Sequence, residues 1–193
     1  MLDTDASSGM PTATLADTQT GFTALAAKTV VSHTLTYFMM GALAYNLFDY
    51  AAWINKPGSG MHPTTDLIVY LGPALQVFRG ILFAAVFYPF RDKLFGQRNG
   101  WLLMAWMLVG LGILGTFGAP AGSFEGFIFT TTPIVVQLRS YIEIVTQAIL
   151  LSALLCYWVN HPRRWLSWSL GVAYVICISL PVLGLVAERA AKR

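Results

Sequence analysis

Apolar residues run along this chain in five long blocks, separated by short stretches rich in Gly, Pro, Asn and charge. About 20 predominantly apolar residues cross the hydrocarbon core of a bilayer as a helix, and each block reaches roughly that length. The predicted spans are residues 29–54, 67–90, 100–118, 134–159 and 165–187. None shows the period-two alternation of an outer-membrane barrel strand. The expected fold class is therefore all-α: a polytopic integral membrane helical bundle with about five transmembrane helices. Residues 1–28 read as a polar, mobile N-terminal tail and residues 188–193 as a basic C-terminal tail.

The breaks between blocks have backbone reasons, because Gly tolerates positive φ and Pro cannot continue a hydrogen-bond ladder. Asn55-Lys56-Pro57-Gly58-Ser59-Gly60 ends the first block, and Pro63 precedes the second. Arg91-Asp92-Lys93 and Gln97-Arg98-Asn99-Gly100 form a basic turn, and Ala119-Pro120-Ala121-Gly122-Ser123 closes the third block. Asn160-His161-Pro162-Arg163-Arg164 is a tight hairpin between the last two. The aromatic segment Ser123-Phe124-Glu125-Gly126-Phe127-Ile128-Phe129 is too short to span. It reads as an interfacial loop, with a lid dipping over the bundle as the alternative. No internal repeat is visible, so an inverted-repeat transporter has no direct support.

Composition agrees with lipid as the solvent. Of 193 residues, 56% are hydrophobic and 11% charged, against roughly 25% charged in an average soluble domain. The net charge of +3 reflects loop lysines and arginines, so no nucleic-acid partner is expected. Cys156 and Cys177 both fall in apolar runs, where free cysteine behaves as a small hydrophobe. The N-terminal stretch carries Asp3, Asp5 and Asp17 where a secretory signal would carry positive charge and an apolar run.

Orientation follows from basic residues near the span ends. Five spans would place Lys28, Arg91, Lys93, Arg98, Arg163 and Arg164 on one side and Lys56 on the other, joined there by Arg189, Lys192 and Arg193 in the tail. This predicts N-terminus inside and C-terminus outside, in a multi-pass protein of a bacterial-type inner membrane. Trp101, Trp158, Trp165 and Trp168 would then lie near the inner interface, where indole is favoured.

Candidate chemistry rests on polar residues inside the spans. An ionisable group at bilayer depth costs at least ~2.5–3.5 kcal/mol, so it turns inward and finds a partner. Arg139, Glu143 and Gln147 fall at i, i+4 and i+8 on one helix face; Gln76 and Arg79 share a face, as do Asn46 and Asp49. At about 1.5 Å per residue, Asp49 and Arg139 lie roughly 7 Å from the outer ends, Glu143 about 13 Å and Arg79 about 18 Å. Three stripes of matched depth must converge, pairing Asp49 with Arg139 and Glu143 with Arg79.

Two readings of that convergence compete. One is a buried polar clasp holding the helices in register, each contact contributing ~0.6–2 kcal/mol. The other is a polar cavity that binds or transports a small anionic or amphiphilic ligand, since guanidinium pairs bidentately with carboxylate or phosphate. In this second reading Arg79, Arg139 and Glu143 carry the function, with Gln76, Gln147, Asn46 and Asp49 completing the lining. A different class, a non-catalytic subunit or assembly factor of a larger membrane complex, fits a chain with no soluble domain. The bilayer, a membrane-protein partner and a second copy of the chain are thus its expected partners.

Catalysis has little footing. There is no His-Glu-x-x-His, Gly-x-Ser-x-Gly or Walker loop, and nothing places a nucleophile beside Glu143. No metal or other cofactor is expected. His33 and His161 could bracket a haem, but two lone histidines without supporting residues are a weak basis for one. Gly112, Gly115 and Gly118 recur every three residues and read as close helix packing. Pro181 is expected to kink the last helix.

Overall fold

The computed structural model describes residues 20–59, 61–114 and 119–191, and every described regular element is helical. The elements are α1 (Phe22–Leu47), α2 (Tyr50–Ile54), α3 (Leu67–Tyr70), α4 (Gly72–Phe87), α5 (Arg91–Leu94), α6 (Gly100–Ile113), α7 (Phe124–Phe129), α8 (Ile134–Asn160) and α9 (Arg164–Ala191). A 3-10 turn, Tyr88–Phe90, links α4 to α5. The fold is an all-α helical bundle, as the blocks of apolar sequence require.

Among the described residues, three segments are both long and apolar enough to cross a membrane: Gly72–Leu94, Ile134–Asn160 and Arg164–Ala187. The other two predicted spans differ for separate reasons. α6 is apolar, but its described helix has 14 residues, about 21 Å at 1.5 Å per residue. α1 has 26 residues, ample length, but Lys28, Thr29, Ser32, His33, Thr34 and Thr36 dilute its apolar character.

That dilution is explained by position. α1 packs against α4, α8 and α9, while α6 packs along α8. α1 is therefore the hub, and Thr29, Ser32, His33, Thr34 and Thr36 are all buried in it. Gly80 makes the α1–α4 contact close: a Cβ there would stand 2.6 Å from the Val30 Cα. Gly112 does the same more loosely for α6 against Ile144 of α8, at 3.2 Å. The predicted Gly115 and Gly118, like residues 1–19, lie outside the described residues.

The apolar core sits at one end. Leu25 of α1, Phe87 of α4, Leu94 and Phe95, Met104 of α6, and Leu151, Leu155, Cys156 and Val159 of α8 form it. The same end gathers the basic loops. The Gly96 N–H donates to the Asn160 side chain (2.8 Å), joining the α5–α6 turn to the α8–α9 hairpin. The Lys28 amine reaches the Trp158 carbonyl (3.4 Å) and lies over that indole. Lys28, the α5–α6 turn and the α8–α9 hairpin are thus on one side, in the arrangement expected from the charges.

Boundaries depart from the sequence reading in two places. The first block does not stay one helix to Ile54: it breaks at Asp49, a non-glycine residue in the left-handed region (φ 51°). The second block begins as the short α3 and restarts at Gly72, with Pro73 in the first turn, where its missing N–H is harmless.

Candidate functional site

α4 and α6 flank the α1–α8 seam and leave a cavity of about 440 Å³ between them. Most of its wall is apolar: Phe83, Val86 and Phe87 from α4, Met107, Leu108 and Leu111 from α6, and Ile144, Ala148 and Leu151 from α8. Three polar side chains enter it, His33 from α1, Arg79 from α4 and Gln147 from α8. Pro120 and Ala121, from the connection after α6, complete the lining.

His33 anchors the polar end. It is 1% exposed, its Nε2 is 3.0 Å from the Gln76 Oε1, and its ring meets Phe83 edge-on at 4.9 Å. An amide oxygen only accepts, so the proton belongs on Nε2 in the neutral ring and Nδ1 is left as the acceptor. Nδ1 is buried and has no hydrogen-bond partner among the described residues. Gln76 is held in turn by donating to the Gly72 carbonyl (3.3 Å).

Arg79 behaves differently from the residues around it. Its guanidinium lies over the Phe83 ring at 5.5 Å, and the side chain is exposed to the cavity it lines. It acts electrostatically on His33 and Tyr37, and Glu143 acts on Tyr37 as well. Arg79 and Glu143 thus both lie close enough to Tyr37 to act on it. Glu143 is partly buried and engaged. His62–Asp66 and Arg91–Asp92 form ion pairs, the first in the connection before α3 and the second within α5.

The outer group takes another form. Arg139 donates to the Phe48 carbonyl (2.6 Å) and lies over the Phe48 ring at 5.7 Å. Phe48 caps the C-terminus of α1, where orphan carbonyls and the helix dipole both favour a cation. The expected Asp49 partner is replaced by the backbone of its neighbour. Asp49 and Asn46 are exposed, and Asn46 donates to the Ala42 carbonyl in its own helix (2.7 Å). Neither lines the cavity.

The aromatic connection folds onto the bundle. The Gly122 N–H donates to the buried Gln137 (2.7 Å), and the Tyr141 hydroxyl donates to the Ser123 carbonyl (3.1 Å). Ser123 caps α7 by accepting from the Gly126 N–H (2.9 Å). Such a side-chain cap satisfies an orphan donor of the first turn. These bonds bring Pro120 and Ala121 to the cavity wall, while Phe124, Phe127, Ile128 and Phe129 stay exposed.

Of the predicted site residues, Arg79 and Gln147 line the cavity, Gln76 holds its His33, Glu143 is outside the lining, and Arg139 secures a helix end. Tyr37 and Phe83 were missed. Tyr37 lies four residues after His33, a spacing that shares a helix face. His33 and His161 stand apart in role. The His161 ring is exposed at the α8–α9 hairpin, stacked on Tyr157 at 4.6 Å. Among the described residues, no group of three or more His, Cys, Asp or Glu could hold a metal ion. No protein-family model, no curated protein and no solved structure matches this chain.

Proposed function

We propose that this protein crosses the membrane five times and binds a small amphiphilic anion in the cavity between α4, α6 and α8. The observation that carries the reading is one cation, Arg79, exposed in a largely apolar cavity beside the buried His33. Intramembrane ionisable groups mark sites by default, and a few convergent polar groups in an apolar pocket are the usual form of a ligand site. The anionic head would pair with the Arg79 guanidinium. Its apolar part would lie against Phe83, Phe87, Met107 and Leu108.

The five-span count has its own support. α1 runs beside α4, α8 and α9, so it shares their depth, and its polar residues face protein rather than lipid. α6 lies along α8 in the same way. With an odd number of spans and the basic loops gathered at one end, the N-terminus is inside and the C-terminus outside.

Native mass spectrometry of gently solubilised protein tests the ligand. Wild type should retain a small anionic molecule, and Arg79→Gln should lose it while melting at the same temperature. A bare wild-type protein would overturn the proposal.

A second reading, a subunit or assembly factor of a membrane complex, draws on α9, whose apolar window has no buried residue. A co-purifying polypeptide with no small ligand would favour it.

A further inference from the structure

A second cavity, of about 590 Å³, lies at the basic end of the bundle, between the α5–α6 turn and the C-terminal end of α8. Its lining divides by chemistry. Arg98, Gln97 and His161 come from the loops and Asn160 from the last residue of α8, whereas Trp101, Ala153 and Cys156 come from within α6 and α8. From His161 back to Ala153 is eight helical residues, about 12 Å of descent along α8. The cavity therefore runs from a cationic rim into apolar helix surface.

Its walls are fixed to one another. The Gly96 N–H donates to the Asn160 side chain (2.8 Å), and the Cys156 thiol donates to the Leu94 carbonyl (3.6 Å). Trp101 packs against the buried core. On the rim, the His161 Nδ1 is 3.0 Å from the Tyr157 carbonyl. A carbonyl only accepts, so Nδ1 donates, and Nε2 is the ring's second polar atom in the cavity. Arg98 is exposed there. Tyr157 and Trp101 flank the rim, as interfacial aromatics do at headgroup level.

We propose that this cavity holds the phosphate of an anionic phospholipid from the leaflet on the basic side. Arg98 pairs with the phosphate, His161 and Asn160 face the glycerol region, and an acyl chain lies along Trp101, Ala153 and Cys156. The site is distinct from the Arg79 cavity and depends only on the membrane placement. A free phosphate shares the headgroup chemistry but would leave the apolar lower wall without a partner.

The test is a lipid titration of the delipidated full-length protein, read as bound adducts by native mass spectrometry. Dioleoyl phosphatidylglycerol is compared with dioleoyl phosphatidylcholine and with inorganic phosphate. Wild type should prefer phosphatidylglycerol, and Arg98→Gln should weaken it about tenfold, the loss expected for one charged hydrogen-bonded contact. Lys93→Gln removes the same charge from an exposed position on α5 outside the lining, and should change binding less than about twofold. Equal loss in Lys93→Gln would assign the attraction to diffuse surface charge and overturn the site. Displacement by inorganic phosphate at equal concentration would assign it to a free anion and overturn the lipid.

Discussion

α1 and α9 are nearly equal in length, 26 and 28 residues, and opposite in burial. α1 carries five buried polar side chains, Thr29, Ser32, His33, Thr34 and Thr36, and it is the helix the others surround. α9 is the most apolar of the candidate spans, and its apolar window has no buried residue. A water-soluble bundle would be built the other way round, with α9 inside. In lipid, the apolar helix already has a suitable solvent, while a helix that carries polar and ionisable side chains is costly against hydrocarbon and is kept among other helices. The inversion is the physical signature of a bilayer, read from packing alone.

The largest effect should come from placing charge on the exposed helix. Val175, near the middle of α9, is 59% exposed. In a soluble protein Val175→Arg would be tolerated within ~0.5 kcal/mol. In a bilayer it should cost at least ~2.5–3.5 kcal/mol of insertion free energy. Glycosylation-reporter insertion assays measure this directly. Wild-type insertion by Val175→Arg would mean that α9 faces water and that the inversion has another cause.

Paired glycine substitutions sharpen the contrast at smaller scale. Gly80→Ala drives a Cβ into the Val30 backbone of α1, an overpacking that should cost about 1–3 kcal/mol. Gly171→Ala in α9 meets nothing within 4 Å and should be neutral or stabilise by up to ~1 kcal/mol. Thermal unfolding in detergent compares the two. Similar melting temperatures for both variants would mean that α1 is not held tightly at the centre.

A double substitution then asks what the polarity of α1 does. Gln76→Leu leaves the buried His33 Nε2 without its acceptor, which should cost about 1–3 kcal/mol. His33→Leu/Gln76→Leu replaces both partners, and should recover most of that stability while abolishing ligand retention. Recovery of stability with ligand still bound would reduce His33–Gln76 to a clasp between α1 and α4.

The sequence made some of this legible and hid the rest for definite reasons. Helix positions followed from apolar run length, and Pro63 and the glycine-rich loops marked breaks. α1 starts at Phe22, inside the predicted N-terminal tail, and carries Lys28 within it, with the amine reaching the Trp158 carbonyl. The break at Asp49 has no glycine or proline to announce it. Asp49 lies at that break, Asn46 turns back onto the Ala42 carbonyl of its own helix, and the Phe48 carbonyl becomes the partner of Arg139. The polar face of α8 was readable because its i, i+4, i+8 spacing survives in one unbroken helix. The cavity was not readable, because it depends on how far α4 and α6 stand apart, and no local pattern encodes that distance.

The smallest effect is the most discriminating within α1 itself. Thr29 is fully buried, yet its hydroxyl donates to the Leu25 carbonyl in its own helix (2.8 Å), and Thr36 likewise bonds the Ser32 and His33 carbonyls. Such back-bonding slightly destabilises a helix, so these hydroxyls are self-satisfied rather than cohesive. Thr29→Val keeps the shape and should shift stability by no more than ~0.5 kcal/mol, with ligand binding unchanged. His33 is buried nearby, with its bond reaching across to another helix, and its loss should be felt in both measurements. If Thr29→Val were as damaging as His33→Leu, the polarity of α1 would be one interhelical network. A silent Thr29→Val instead confines the chemistry of α1 to the turn that carries His33.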